Sequence, residues 1–395
     1  MASEIKKSLL ITLDFPPRFG GVASYYYNVC KNLPADKIVV LAPNQPGAEA
    51  FDRQQNFPII RKKLITNFPQ VWPASLFGIF KLAASIKWLS IIRYMAKIAK
   101  THNIEIIQVG QVLPIGTVAL AYQKRKKIPY LFYAHGLDLT LPQKFLRKKT
   151  LLKKIIAGAS AIIANSHWTN DELVRLGADA KKITVVYPGP EITPAASSSW
   201  KADEIFHRYH FDGKKIILSV GRLVERKGHD LVIKALPQII KQLPAVMYVI
   251  IGDGPYRQTL ENLVNQYQLR DYMTFLGAKK KEETAAFYQN CDVFAMPSRQ
   301  LPNGDVEGFG IVFLEANSFG KPVIGGKSGG VPEAVLDGQT GILIDPASID
   351  EMAQAAIKIL SDRSYAERLG LQGLERVTSQ FDWPTQVEKI KQVLK

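Results

Sequence analysis

Ile216-Ile217-Leu218-Ser219-Val220 runs directly into Gly221-Arg222-Leu223-Val224-Glu225-Arg226-Lys227-Gly228. A short β-branched run that ends in a glycine and then in cations reads as a strand, a tight loop and the start of a helix. In a parallel sheet that loop lies beyond the carboxyl end of the strand, where ligands of such sheets bind. A guanidinium and an ammonium placed there can grip a diphosphate without a metal, whereas the same cations on a plain surface are simply solvated.

Downstream the pattern repeats in Met247–Ile251, Met273–Leu276, Val293–Met296, Pro322–Ile324 and Gly341–Ile344. Upstream it is present in Leu9–Leu13, Ile38–Leu41, Ile104–Val109, Tyr130–Tyr133, Ala161–Ala164 and Ile183–Val186. Helical patterns separate these runs, and that alternation predicts parallel sheets covered by helices. Between the two series lies Thr193-Pro194-Ala195-Ala196-Ser197-Ser198-Ser199, which reads as a linker. The expected fold class is therefore α/β, with two doubly wound, Rossmann-like parallel-sheet domains facing a cleft and sharing one site.

The chain has 395 residues, 47% hydrophobic and 22% charged, which excludes collagenous and wholly disordered classes. Cys30 and Cys291 are its two cysteines, too far apart in sequence for a disulfide framework or a cysteine zinc site. The opening apolar run Leu9–Leu13 is too short for a signal peptide. Ile106–Gln123 reaches spanning length but is interrupted by Gln108, Gly110, Gln111 and Pro114, so a strand, loop and helix are expected instead of a membrane span.

Charge divides the halves. Residues 1–190 hold 27 Lys and Arg against 10 Asp and Glu, and the remainder holds 24 against 25. The excess concentrates in Arg61-Lys62-Lys63, Lys124-Arg125-Lys126-Lys127, Arg147-Lys148-Lys149 and Lys153-Lys154. Such asymmetry predicts a polyanionic partner. Phe68, Trp72, Phe77, Phe80, Trp88 and Tyr94 stand among Lys81, Lys87, Arg93 and Lys97, a mixture suited to an anionic membrane surface; no nucleic-acid module is recognisable.

Three further segments carry chemistry. After the first strand, Asp14-Phe15-Pro16-Pro17-Arg18-Phe19-Gly20-Gly21 leads to a helix expected near Ala23, whose free N–H groups and positive end suit an anion. His135 follows the Tyr130 strand and precedes Gly136, where a histidine taken alone is more often structural than catalytic. Asp305-Val306-Glu307-Gly308-Phe309-Gly310-Ile311-Val312-Phe313-Leu314-Glu315 puts two carboxylates eight residues apart at a helix start. Carboxylates accept paired hydrogen bonds from vicinal hydroxyls, so this spacing fits a ligand with sugars on both sides of a phosphate. Helix N-terminal acids held by the macrodipole would give the same pattern. No metal-ligand spacing and no G-x-S-x-G elbow occurs.

These residues resemble the family 4 glycosyltransferases of GT-B architecture. Glu307-Gly308-Phe309-Gly310-Ile311-Val312-Phe313-Leu314-Glu315 matches the E-x7-E motif, and Gly221-Arg222-Leu223 with Lys227-Gly228 matches the phosphate-binding Arg and Lys. Asp14 to Gly21, His135-Gly136 and Ser328-Gly329-Gly330-Val331-Pro332-Glu333 fall in the family's order. Bacterial phosphatidyl-myo-inositol mannoside mannosyltransferases are the most similar in look. Pro188-Gly189-Pro190 departs from the Gly-Val-Asp expected there.

The resemblance implies an acceptor- and membrane-facing domain over 1–193, a nucleotide-sugar-binding domain over 200–378, and a C-terminal helix within 379–395 that packs back on the first. It implies a retaining, metal-independent hexosyltransferase, best matched to mannose from GDP-mannose, with a lipid-linked or glycan acceptor. No cofactor is expected, the nucleotide sugar being a co-substrate. Arg222 and Lys227 would stabilise the leaving diphosphate and Glu307 the sugar hydroxyls, with His135 beside the reacting centre. Gly20, Gly21, Gly221, Phe309, Gly310, Ile311 and Val312 would contact the donor, Glu315 its ribose, and Asp14 the acceptor. Tyr25-Tyr26-Tyr27 is expected to offer aromatic surface to that acceptor. The implied location is cytoplasmic, peripheral to the inner membrane face. Competing readings are a UDP-sugar-dependent transferase, a nucleotide-sugar epimerase, and a non-catalytic module that coats anionic surfaces.

Overall fold

Alternating apolar runs and helices close into two all-parallel sheets, built by two units of one chain. The computed structural model describes residues 4–18, 20–64, 90–192, 194 and 207–395. One unit comprises the described residues up to Tyr187 together with Trp383–Lys395, and the other Pro188–Asp382.

In the first unit the strands are β1 (Ser8–Ile11), β2 (Ile38–Pro43), β3 (Ile59–Lys62), β4 (Ile106–Val109), β5 (Tyr130–Ala134), β6 (Ala161–Ala164) and β7 (Ile183–Val185), in the order β3-β2-β1-β4-β5-β6-β7. Winding outward in both directions from β1 and β4 leaves a switch point between them, where a ligand crevice forms at the strand ends. Side chains alternate between faces. Leu9, Ile11, Val39, Leu41, Ile107 and Val109 enter one core, and Leu10, Ile38, Val40 and Ile106 enter the other. Burial on both faces explains the near-continuous apolar runs.

Helices of this unit are α1 (Gly21–Asn32), α2 (Ala48–Asp52), α3 (90–101), α4 (Ile115–Lys126), α5 (Leu137–Thr140), α6 (Leu146–Gly158) and α7 (His167–Arg175). The uncharged stretch from Ile106 thus divides into β4, a loop and α4. Among the described residues no helix is long and apolar enough to cross a membrane. Most of the aromatic and basic stretch from Asn67, and the Ser-rich linker apart from Pro194, lie outside the described residues.

The second unit contains β8 (Lys215–Val220), β9 (Val246–Ile251), β10 (Met273–Gly277), β11 (Val293–Met296), β12 (Val323–Gly326) and β13 (Gly341–Ile344), ordered β10-β9-β8-β11-β12-β13. Its switch point lies between β8 and β11. Around it run α8 (His229–Gln242), α9 (Arg257–Gln266), α10 (Lys281–Asn290), α11 (Ile311–Ser318), α12 (Val331–Ala334), α13 (Ile349–Ser361) and α14 (Arg363–Gln380).

The last helix, α15 (Trp383–Val393), belongs to the first unit. Its Val387 and Ile390, with Leu394, enter the core beside Tyr25, Tyr26 and Val29. Gln386 Oε1 accepts from the Tyr187 N–H at 3.0 Å, and Lys6 N–H donates to the Leu394 carbonyl at 2.9 Å. Both cysteines are free and buried.

Candidate active site

At the first switch point the loop after β1 is fastened by Gln111, which follows β4. Gln111 Oε1 accepts from Leu13 N–H at 2.8 Å, and its Nε2 donates to Thr12 Oγ1 at 3.1 Å and Asp14 Oδ2 at 3.3 Å. Asp14 is thereby aimed, and Arg18 NH1 reaches its Oδ1 at 3.0 Å. Gly20, at φ 148 and ψ 147, caps α1, so the helix starts two residues before the Ala23 read from sequence. Both Gly20 and Gly21 are exposed, leaving the helix's first N–H groups without side-chain cover.

His135 stands at the end of β5, partly exposed. Burial of its ring lowers its pKa to about 4, so the imidazole is neutral near pH 7. Its backbone N–H donates to Asp138 Oδ1 at 2.9 Å, and Tyr26 Oη lies 2.7 Å from its Nε2. Two of the three tyrosines, Tyr25 and Tyr26, are not the aromatic surface expected from sequence, while Tyr27 is partly exposed. Tyr25 and Tyr26 are 2% and 0% exposed, because α1 turns them onto Tyr133 and the sheet.

The second switch point gathers charge. Gly221 carries φ +154, and a Cβ on Gly252, at the end of β9, would lie 1.9 Å from the Gly221 carbonyl. That backbone contact sets the path of the loop toward Lys227. In the 3₁₀ turn Glu225–Lys227, Lys227 Nζ lies 2.6 Å from Glu307 Oε2. Arg226 NH1 meets the same oxygen, and Arg226 Nε reaches Asp305 at 3.0 Å. Arg222, assigned a phosphate role from sequence alongside Lys227, is exposed and makes no ion pair among the described residues. Arg226, near it in the quoted stretch, is the guanidinium that joins Lys227.

Burial pushes the Glu307 carboxyl up, but Lys227 and Arg226 outweigh it and hold it at about 2. Lys227 is lowered because burial, helped by Arg226, outweighs Glu307. Arg226 is raised, since Glu307 and Asp305 overcome its own burial. Two cations converge on the carboxylate while they repel each other, so Glu307 and Arg226 are held in their charged forms and Lys227 is the one of the three drawn toward neutrality. Gly330 N–H closes the site by donating to the Glu307 carbonyl at 3.0 Å.

Glu307 itself precedes α11, whose N-cap is Gly310 at φ 102. A Cβ there would lie 2.7 Å from the Phe313 ring, so glycine is required both for conformation and for space. Phe309 is buried, whereas Ile311 and Val312 remain partly exposed at the helix start. Glu315 lies one turn inside and is 5% exposed. Its Oε2 accepts from Tyr288 Oη at 2.9 Å and its Oε1 from Ile192 N–H at 3.3 Å. Desolvation raises its pKa to about 7 against the pull of the tyrosine, with Glu191 adding repulsion. Among the described residues no three His, Cys, Asp or Glu side chains converge as a metal would require.

Comparison with known proteins covers both halves. Residues 19–192 match the model of Glycosyltransferase Family 4, and residues 201–376 that of Glycosyl transferases group 1. The chain is 31% identical over 401 residues to a Mycobacterium tuberculosis GDP-mannose-dependent alpha-(1-6)-phosphatidylinositol monomannoside mannosyltransferase, covering 99% of this chain and 98% of that protein. It is 30% identical over 407 residues to the Corynebacterium glutamicum GDP-mannose-dependent monoacylated alpha-(1-6)-phosphatidylinositol monomannoside mannosyltransferase, covering 99% and 98%. Among solved structures, Anabaena Alr3699/HepE in complex with UDP and glucose superposes with a TM-score of 0.79 at 20% identity, covering 98% of this chain and 99% of that one. The sucrose-phosphate synthase of Thermosynechococcus elongatus gives 0.75 at 22%, covering 98% and 97%. With two parallel α/β units and full-length relatives of this kind, the chain belongs to the family 4 glycosyltransferases of GT-B architecture.

Proposed function

We propose that this glycosyltransferase moves mannose from GDP-mannose to a lipid-linked or glycan acceptor with retention of configuration and without a divalent metal. The observation that carries the reading is the Lys227–Glu307–Arg226 cluster at the second switch point, 2.6 Å across its lysine contact. A donor diphosphate arriving there meets Lys227, with Arg222 exposed on the same loop to close over it. These cations supply the positive charge that a metal brings in other sites. Glu307, kept ionised at about 2, accepts from sugar hydroxyls. Glu315 takes the ribose, while Gly221, Phe309, Gly310, Ile311 and Val312 present backbone to sugar and phosphate. From the first unit we assign Gly20 and Gly21 to the diphosphate, neutral His135 to the sugar, and Asp14 to the acceptor. The acceptor hydroxyl attacks the anomeric carbon on the face from which the diphosphate departs. As that C–O bond breaks, a phosphate oxygen takes the acceptor's proton.

The proposed place of work is the cytoplasmic membrane face, and the basic half supports an anionic membrane surface as the partner. Leu141, Phe145 and Leu146, at 37%, 49% and 79% exposure, lie beside exposed Lys144, Arg147 and Lys148. Lys148 Nζ sits 4.4 Å from the Phe145 ring centroid. Apolar tips within a ring of cations suit an interface rich in acidic lipid.

Thermal melting against GDP, UDP, ADP and their sugar conjugates, with chelator present, tests the donor. Ligand at a hundredfold excess over Kd adds about 2.7 kcal/mol. Selective stabilisation by GDP and GDP-mannose, then chelator-resistant transfer to inositol lipids with an α product, is expected. Stabilisation by UDP alone would make this a UDP-sugar transferase. Conversion of the donor without acceptor would make it an epimerase. No nucleotide response, with binding to acidic vesicles intact, would leave a surface-coating module.

A further inference from the structure

Tyr26 is wedged between a carbonyl and the histidine. Its hydroxyl donates to the carbonyl of Gly110, and the same oxygen lies 2.7 Å from His135 Nε2. A carbonyl can only accept, and a phenol has one proton, so that proton belongs to Gly110. The phenolic oxygen must then be the acceptor toward the ring, and Nε2 the donor. Because the ring, packed against Tyr25 and Tyr26, is neutral near pH 7, it has a single N–H, and Nδ1 carries a bare lone pair.

We propose that Tyr26 is the positioning residue that locks His135 in its Nε2–H tautomer, so that the ring offers the substrate an acceptor at Nδ1 and not a proton. The inference rests on the reading of His135 as a substrate-facing group. It assigns His135 a donor-sugar or acceptor hydroxyl as partner, and it denies it the part of a general acid.

Surroundings of both groups hold the arrangement. Gly110 is tied to the neighbouring strand by its N–H, which donates to the Ile11 carbonyl at 2.8 Å, and a side chain there is barred because a Cβ would fall 2.7 Å from Thr12 Cβ. The His135 carbonyl accepts from Asn165 Nδ2 at 3.5 Å, and Asn165 Oδ1 is held by Thr169 Oγ1 at 2.7 Å. Tyr25 packs edge-on against the imidazole, with centroids 5.2 Å apart. The opposite tautomer would set two acceptors against one phenolic proton and strand a buried one, which is the costlier arrangement.

The test is ¹⁵N NMR of histidine-labelled full-length protein, read with transfer kinetics. Wild type should show His135 as the neutral Nε2–H tautomer. Tyr26→Phe, folded by melting, should release the ring to a mixture and lower kcat about tenfold with donor KM little changed. Tyr133→Phe loses a neighbouring buried hydroxyl, bonded to Gln108, and should leave the tautomer alone. His135→Asn, which keeps an acceptor near Nδ1, should retain more activity than His135→Ala. In the His135→Ala background, Tyr26→Phe should add nothing. An Nδ1–H ring in wild type, an unchanged tautomer in Tyr26→Phe, or effects that multiply in the double variant would overturn the proposal. Full activity in His135→Ala would instead remove the role given to His135, while the NMR would still decide the tautomer.

Discussion

Replacing Glu315 by Gln should make the protein more stable at alkaline pH while making it a worse enzyme. The carboxyl is 5% exposed, and its pKa rises from 4.5 to about 7 on folding, first because of burial. Between these values the unfolded chain has lost the proton and the folded chain retains it, so stability falls as pH rises through that window. The full fall is about 3 kcal/mol, since one proton retained across each pH unit of the window is worth about 1.4 kcal/mol. Below the unfolded value the penalty is absent, and above about pH 7 it is complete.

Glutamine has no proton to lose, and its amide oxygen can still accept from Tyr288 or Ile192. Urea or thermal unfolding of wild type and Glu315→Gln at about pH 5 and about pH 8 isolates this one group, because every other titration cancels in the difference. The variant's relative stability should climb by about 2 to 3 kcal/mol between those conditions, or roughly 5 to 10 °C for a domain of this size. On the proposed reading, GDP binding should weaken in the same variant, since an amide accepts at one oxygen where a carboxylate accepts at two. A difference independent of pH, or one that shrinks as pH rises, would refute the reasoning.

Glu307 runs the other way. Its folded value of about 2 lies below its ordinary 4.5, so its stabilisation is present above 4.5 and is lost only as pH falls toward 2; Glu307→Gln should cost about 3 to 5 kcal/mol in neutral-pH urea melts by stranding Lys227 and Arg226. Gly310→Ala combines a positive φ with a 2.7 Å clash on Phe313, and should cost about 1 to 3 kcal/mol and weaken nucleotide binding in calorimetry. Deleting 383–395 removes Val387, Ile390 and Leu394 from the first unit's core beside Tyr25, Tyr26 and Val29. At about 1.5 to 3 kcal/mol for each buried side chain, that unit should lose roughly 5 to 9 kcal/mol and become the first site of proteolysis.

Much of this architecture is legible in the sequence because buried parallel strands stand out as apolar runs between helices. β3 (Ile59–Lys62) is not, for the converse reason. As an edge strand it is partly exposed, and Arg61-Lys62-Lys63 looks like a surface charge cluster. Arg61 in fact turns inward to hold Asp52 Oδ1 at 2.7 Å. The glycine loops are legible because tight strand-to-helix turns demand glycine. Arg226 is not, since sequence spacing does not show which way each side chain leaves a single 3₁₀ turn. Gln111 and Tyr26 are hidden more deeply. Tyr26 meets Gly110 and His135 at separations of 84 and 109 residues, and Gln111 meets Asp14 at 97, distances that only the assembled sheet order closes.

That sheet order also fixes protons. In the second unit Ser219 Oγ donates to the Ala295 carbonyl on the next strand, so it must accept from Tyr248 Oη at 2.8 Å. Tyr248, its proton spent, must accept from His229 Nδ1 at 3.2 Å, and His229 Nε2 is left as a buried acceptor without a partner among the described residues. Burial, with Lys227 nearby, lowers this ring to about 3. Each unit thus contains a neutral histidine whose tautomer is dictated through a tyrosine by a backbone carbonyl at the end of the chain of donors. Neither ring, at about 4 and about 3, changes charge between pH 5 and pH 8. Two carboxylates do, Asp138 at about 6 and Glu315 at about 7, both raised by burial. In these two clusters His135 and His229 supply fixed hydrogen-bond geometry, and the charge that changes near neutral pH sits on the buried acids Asp138 and Glu315.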